Sequence, residues 1–515
     1  MRRLMRVRVG AFVGAAALVL SVAPIAHAQQ AEPDPASLTE VQNAGVKRLK
    51  ELIEVLNTGD HAAMVSYLKA NTIQAPFAGP PGSEPRTVED MVIQAVVSTY
   101  RSSRGLDLVR VTTHPSRDDT AVGIVRNRLT GDEQYLPVMV EPQAQHRIAW
   151  LPPIAPEVVA TYGLQRVASV AVTEEERLQE IGAYLERMGD EDAFSGAIVI
   201  ARDGEPVFAQ AYGYADREKK IPNTLETPFL MASMTKLFTG LAIGQLVEQG
   251  KLSYDDPLST FLPDFPDAES AKMIRIKHLL SHTSGLAREG SPIDSSSTDR
   301  RTTVKALVDG FERKPPAFEP GTRWAYSNMS FVLLGRVIEL VTGTDYYDYM
   351  QQNVFGPAGA KSASFPMLPR NGVAVVPMAY PYEWAWDLEN HREYFENYLG
   401  RHARRGSPAG GRVVSALDII KLSTAMRPGR IVKPETFRLH SSAKPELGSP
   451  NYGYGFIAGP YLGGPFVGHN GRAFGHCTEF GELRDTPYTI IVLSNLTRGS
   501  CGEVAGRILR VLRPS

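Results

Sequence analysis

The sequence predicts an α+β fold in two units. A small cone-like domain comes first, and a larger one follows whose antiparallel sheet is built from both of its ends around an inserted helical lobe. Three observations predict it. Helical periodicity over residues 38–68 and 87–100 gives way to four alternating, β-rich segments, and Pro152, Pro153 and Pro156 then mark an exit. Two strand patterns flank Asp203-Gly204, and three more lie near the C-terminus. Between those two groups the chain reads mainly as helices and loops. A length of 515 residues allows two or three domains.

Taken in order, Arg2, Arg3, Arg6 and Arg8 precede an apolar run at 9–22 and an Ala26-His27-Ala28 site. That pattern predicts a signal peptide over 1–28, cleavage after Ala28, and export to a periplasm or beyond. The alternative, a retained membrane anchor, needs a longer apolar run. Residues 29–37 are a Pro/Ala/Asp-rich leader. The first domain is expected over 38–156. Its opening helix carries Leu49, Leu52, Ile53 and Leu56 on one face, and Gly59 breaks the run. Strands are expected at 106–113, 120–129, 134–141 and 146–151, and a linker at 157–172. The second domain, 173–515, opens with a helix at 174–188 and strands at 196–201 and 206–212. An apolar helix follows Ser233 and runs to about Gly250. The stretches 291–303 and 381–411 read as excursions, the latter either lining a substrate cleft or standing as a surface insertion. Strands at 466–470, 478–484 and 488–495 and a helix at 503–512 close the chain. No later apolar run is long enough to span a bilayer.

Composition excludes some classes of function. Hydrophobic content of 43% and charged content of 22% are ordinary for globular protein. A net charge of −1 leaves no basic footprint for nucleic acid. Cys477 and Cys501 are the only cysteines. In an oxidising compartment they would form a disulfide tying the sheet to the last helix; two buried thiols is the alternative.

Three short strings carry chemistry. Ser233-Met-Thr-Lys236 puts a serine and a lysine on neighbouring turns of a helix. Tyr326-Ser-Asn328 and His469-Asn-Gly471 follow in chain order. S-x-x-K alone is weak, since it also occurs at Ser66-Lys69 and Ser441-Lys444. The other two strings each occur once. A nucleophile needs a base, a proton shuttle and an oxyanion cradle, and these strings supply candidates for all. Ser233, near a helix N-terminus, is the candidate nucleophile. Lys236 has an ordinary pKa near ~10.4, and a fall of about three units costs roughly 4 kcal/mol; burial works in that direction. The base is left open between Lys236 and Tyr326. His278 and His282 have the i, i+4 spacing of a zinc pair but lack the Glu and a third ligand, so no metal is expected.

The second domain resembles the serine β-lactamase and penicillin-binding-protein superfamily, in its class C-like branch of esterases and D-peptidases. The resemblance covers about 340 residues. It rests on Phe229-Leu-Met-Ala-Ser233-Met-Thr-Lys236 and Ile276-Lys-His278-Leu-Leu-Ser-His282-Thr-Ser-Gly285-Leu286. It rests further on Pro320-Gly321-Thr-Arg-Trp324-Ala-Tyr326-Ser-Asn328 and Gly468-His469-Asn-Gly471. It implies a β-lactamase/transpeptidase-like fold and a covalent acyl-serine. It implies Ser233, Lys236 and Tyr326 as catalytic residues, with Asn328, His469, Gly471 and Arg472 around the substrate. The backbone N–H groups of Ser233 and Arg472 would form the oxyanion hole. A lysine commonly opens the third motif; His469 departs from that and weakens the case for efficient β-lactam hydrolysis. The expected substrate is an ester or a D-amino-acid peptide or amide from cell wall, and no cofactor is needed. The alternatives are a β-lactamase or a slow penicillin-binding receptor. The first domain resembles an NTF2-like cone in element order and in Leu56-Asn-Thr-Gly-Asp60. That implies a scaffold or homo-oligomerisation module, with a ligand-binding cone as the other reading.

Overall fold

The computed structural model describes residues 37–513 except 78–85, 144, 155–157, 160–161, 165–168, 170, 266, 287–301, 311–314, 369–372, 375, 388–389, 391, 427–428, 462 and 497–500. The expected signal peptide and most of the stretch 291–303 lie outside the described residues. Two compact units result: residues up to 172 with 182–193 and 385–394, and residues 173–181, 194–384 and 395–515.

In the first unit Thr39 and Gln42 form a capping box that starts α1 (Glu40–Asn57). Leu49, Leu52, Ile53 and Leu56 are its buried stripe, as the periodicity predicts. The break at Gly59 separates α2 (His61–Asn71), and a second capping box, Thr87 with Asp90, opens α3 (Val88–Ser103). Strands β1 (Leu106–His114), β2 (Arg117–Asn127), β3 (Glu133–Val140) and β4 (Ile148–Trp150) form an antiparallel meander in that order. Strand β2 is buried on both faces. Gly45 and Leu49 of α1 pack toward Ala121 and Gly123, whereas Val122 and Ile124 form a cluster with Ile154 and Tyr162. The expected linker is therefore more than a tether: its Tyr162 is 5% exposed, because the second face of β2 needs an apolar cover.

The second unit holds a six-stranded sheet. Strands β5 (Gly196–Arg202) and β6 (Glu205–Tyr212) turn at Asp203 and Gly204, both at positive φ, as a two-residue hairpin demands. Late in the chain come β7 (Ile457–Tyr461), β8 (Gly464–Ala473), β9 (His476–Leu483) and β10 (Tyr488–Ser494). Their order is β7-β8-β9-β10-β5-β6. The last strand thus pairs with the first, from Tyr488 opposite Arg202 to Ser494 opposite Gly196. Edge strand β7, with Gly459 and Pro460 inside it, is one the sequence pattern does not announce. One face of the sheet and helix α4 (Thr235–Glu248) both contribute to the main apolar core, and the helix Ala416–Met426 packs against β5 and β10. The amphipathic C-terminal helix α5 (Cys501–Leu512) packs against β9 and β10, and the Cys477–Cys501 disulfide ties it to β9, with Cα atoms 5.9 Å apart. The fold is α+β with antiparallel sheets. Among the described residues no helix is long and apolar enough to cross a membrane.

Candidate active site

Strand Phe229–Leu230 pairs with Val413–Val414 and delivers the chain into a short 3-10 turn, Ala232–Met234, ahead of α4. Ala232 sits at φ 45°, a left-handed conformation that costs a residue with a Cβ about 1–3 kcal/mol. Neighbours hold it there. The Met231 N–H donates to Arg412 O at 2.7 Å, and Thr478 Oγ1 donates to Met231 O at 3.0 Å. Gly471 of β8 passes so close that a Cβ would lie 2.4 Å from Met231 O. The third motif thereby abuts the turn that carries Ser233.

Two polar side chains converge on that serine. Tyr326 donates its hydroxyl to Ser233 Oγ at 2.7 Å, and Lys236 Nζ lies 3.2 Å from the same oxygen. Lys236 Nζ also donates to Asn328 Oδ1 at 2.8 Å and to the Ala409 carbonyl at 2.6 Å. The ammonium nitrogen is 4.8 Å from the Tyr326 ring centroid. Lys236 is fully buried with no carboxylate beside it among the described residues, and desolvation pushes its pKa well below the ordinary value. A neutral amine has two N–H groups and one lone pair. In that neutral form the two pure acceptors, Asn328 Oδ1 and Ala409 O, would take the hydrogens and leave the lone pair for the serine hydroxyl.

Tyr326 is set by the helix Asn328–Thr342 that follows it and by a histidine. His282 Nδ1 accepts the Ser327 N–H at 3.1 Å, and its ring centroid is 4.3 Å from that of Tyr326. His278 Nδ1 likewise accepts the Arg275 N–H at 3.2 Å. Each of the two histidines therefore spends a ring nitrogen on backbone. His469 is 2% exposed. Its Nε2 is 2.9 Å from the Tyr452 hydroxyl and its Nδ1 hydrogen-bonds to Asn470 O. Burial foremost, and then Lys236, pull its pKa down to about 3, so the imidazole is neutral at pH 7.

A cavity of about 250 Å³ opens beside the serine. Ser233, Asn328 and Arg472 line it; Lys236 and Tyr326 contact Ser233, Gly471 abuts the turn before it and His469 lies two residues earlier on the same strand, all four outside that lining. Residues 401–411 form a further wall, so the excursion at 381–411 does reach the cleft. Sequence reasoning missed two participants. The Ala409 carbonyl carries no side-chain signal. Tyr452 lies in an Asn-Tyr-Gly-Tyr-Gly segment whose nearness to His469 only the fold creates.

A family model described as Beta-lactamase matches residues 181–512. The chain is 29% identical over 340 residues to "Putative penicillin-binding protein PbpX" of Bacillus subtilis, covering 65% of this chain and 79% of the relative. It is 27% identical over 312 residues to "Teichoic acid D-alanine hydrolase" of Staphylococcus aureus, covering 60% of this chain and 72% of that one. The crystal structure of a penicillin binding protein from Bacillus halodurans is similar at TM-score 0.51 and 26% identity, over 65% of this chain and 98% of that one. With the matched model spanning more than half of its length, the chain belongs to the beta-lactamase family and is a serine hydrolase of that family.

Proposed function

We propose that the protein is an exported hydrolase of esters or D-amino-acid amides that works through an acyl-Ser233 intermediate. The observation that carries this reading is the convergence of Lys236 Nζ and the Tyr326 hydroxyl on Ser233 Oγ at 3.2 and 2.7 Å. Ser233 Oγ attacks the substrate carbonyl, and its proton passes to the neutral amine of Lys236. The backbone N–H groups of Ser233 and Arg472 take the oxyanion. The bond to the leaving oxygen or nitrogen breaks as Tyr326 protonates it, and Tyr326 recovers a proton from Lys236. Water then attacks the ester carbon, the same relay takes its proton, and the acid departs with Ser233 restored.

Asn328 steadies Lys236 through Oδ1, and its amide NH₂ remains for the substrate acyl group. Gly471 admits the scissile bond by having no side chain. His469, neutral and engaged by Tyr452, shapes that edge and adds no charge. Export is supported by the basic, apolar and Ala-x-Ala sequence of residues 1–28 and by a disulfide that suits an oxidising compartment. The first unit is read as a scaffold or homo-oligomerisation module of NTF2-like form; size-exclusion with light scattering on the whole protein tests this, and a monomer removes the oligomer.

The decisive experiment is turnover of p-nitrophenyl acetate, D-alaninamide and nitrocefin by the protein and by Ser233→Ala. Ester or amide turnover that vanishes with the serine upholds the reading; equal rates for both proteins end it. Similarity to a relative named as a penicillin-binding protein supports a second reading, a slow penicillin receptor. Stoichiometric labelling by a fluorescent penicillin without turnover would favour that one.

A further inference from the structure

The cavity beside Ser233 is rich in donors and poor in acceptors. Among the described residues, none of those lining it is an Asp or a Glu, in a chain whose acidic and basic residues nearly balance. Asn328 gives its Oδ1 to Lys236, which leaves the NH₂ end facing outward from that bond. His402 and His476 line the wall but both are neutral, since burial lowers their pKa values to about 4 and about 3. His469 offers no charge either. Arg472 lies at the edge, and its charge acts on Glu479 and Tyr461. Arg401 pairs with Glu396, a residue outside the lining.

Arg405 differs from these. Its guanidinium stacks 3.6 Å from the Tyr347 ring centroid, and its Nε donates to Phe365 O at 3.3 Å. Those contacts fix the plane of the group and leave the two terminal nitrogens. Among the described residues neither Arg405 nor Arg472 forms an ion pair. A planar cation held by stacking and by its Nε presents the fork that binds a carboxylate or phosphate through two parallel hydrogen bonds.

Building on the hydrolase reading above, we propose that the preferred substrate carries a compact anion, a carboxylate or a phosphate, on its acyl portion, and that Arg405 is the residue that selects it. The acyl side is chosen because Asn328 shares the cavity with Arg405. A space of about 250 Å³ suits a short chain between the carbonyl and the anion.

The test compares mono-p-nitrophenyl glutarate with p-nitrophenyl valerate, two esters of equal acyl length that differ in the terminal charge. The expected kcat/KM ratio is about ten in favour of glutarate, the size of one charge-assisted hydrogen-bond pair. It should shrink as salt is raised from 0.05 to about 0.5 M. Arg405→Gln should bring the ratio to about one, and Arg405→Lys should keep part of it; a merely structural role would lower both substrates together. A wild-type ratio at or below one, unmoved by salt, overturns the proposal without touching the hydrolase reading. Should Ser233→Ala hydrolyse both esters at the wild-type rate, the hydrolase reading fails instead. Calorimetric titration of glutarate into Ser233→Ala then decides the anion site. Binding that Arg405→Gln abolishes supports it, and no binding overturns it.

Discussion

Lys236 is where local chemistry is concentrated. An ordinary lysine would be protonated and a poor base, but this one is buried without a counter-ion among the described residues. Its folded pKa is lowered, so the amine turns neutral at a lower pH than it would in water, and a mechanism that uses the neutral amine gains rate as pH rises through that lowered value. The acylation rate with p-nitrophenyl acetate should therefore climb along a single ionisation below ~10.4. Lys236→Met should flatten that limb and cost about a hundredfold or more in kcat/KM. An unchanged limb in the variant would assign the base to Tyr326. Ser233→Ala should cost at least about a thousandfold. Both residues were legible in the sequence because S-x-x-K is a local spacing on one helix face. The Ala409 carbonyl that takes one lysine hydrogen was not, since every residue has a carbonyl and no pattern marks which one will be near.

At the scale of elements, the turn Ala232–Met234 and strand β8 form one device. Gly471 allows the strand to pass within contact of Met231 O, and the left-handed Ala232 aims the serine into the space so formed. Gly471→Ala should lower kcat/KM by about a hundredfold and stability by about 1–3 kcal/mol, because the clash falls on backbone on one side and on Thr478 Oγ1 on the other. Stopped-flow acylation and urea denaturation check the two parts; a variant with native activity would show that the strand yields. The disulfide is a second device. It closes a loop between residues 24 apart, and Cys477→Ser/Cys501→Ser should cost about 3 kcal/mol of unfolding free energy. The cysteine pair was visible in the sequence, but the bond depends on β9 and the last helix meeting at their starts, which is a matter of packing.

Across the whole molecule, pH acts through a group outside the reaction. Glu479 of β9 is buried opposite Asn470; Tyr461 donates to its Oε2 at 3.3 Å and its Oε1 has no partner. Burial raises its pKa from 4.5 to about 8, against smaller opposing effects of Tyr461 and Arg472. The folded state thus binds a proton that the unfolded chain has released. Its contribution is full below the unfolded value of 4.5 and is lost as pH rises through about 8. Thermal stability should fall across that window, and Glu479→Gln should remove the slope and raise Tm at pH 8. A slope that survives in the variant would place the titrating group elsewhere.

The amino-acid sequence by itself determined the four family motifs, the order of most strands, the turn at Asp203-Gly204 and the pairing of the first strand of the second domain with the last. The motifs, strands and turn follow from periodicity, turn residues and spacing, which act within a few residues of one another, and the pairing follows from strand patterns lying at both ends of the domain around a helical middle. Tertiary structure alone decided that His469 is neutral and held by Tyr452, that residues 401–411 wall the cavity, that Tyr162 covers the second face of β2, and that Gly459 and Pro460 sit in an edge strand. Burial sets a protonation state, and partners brought together from distant segments set a wall or a cover. Neither quantity exists until the chain has closed on itself.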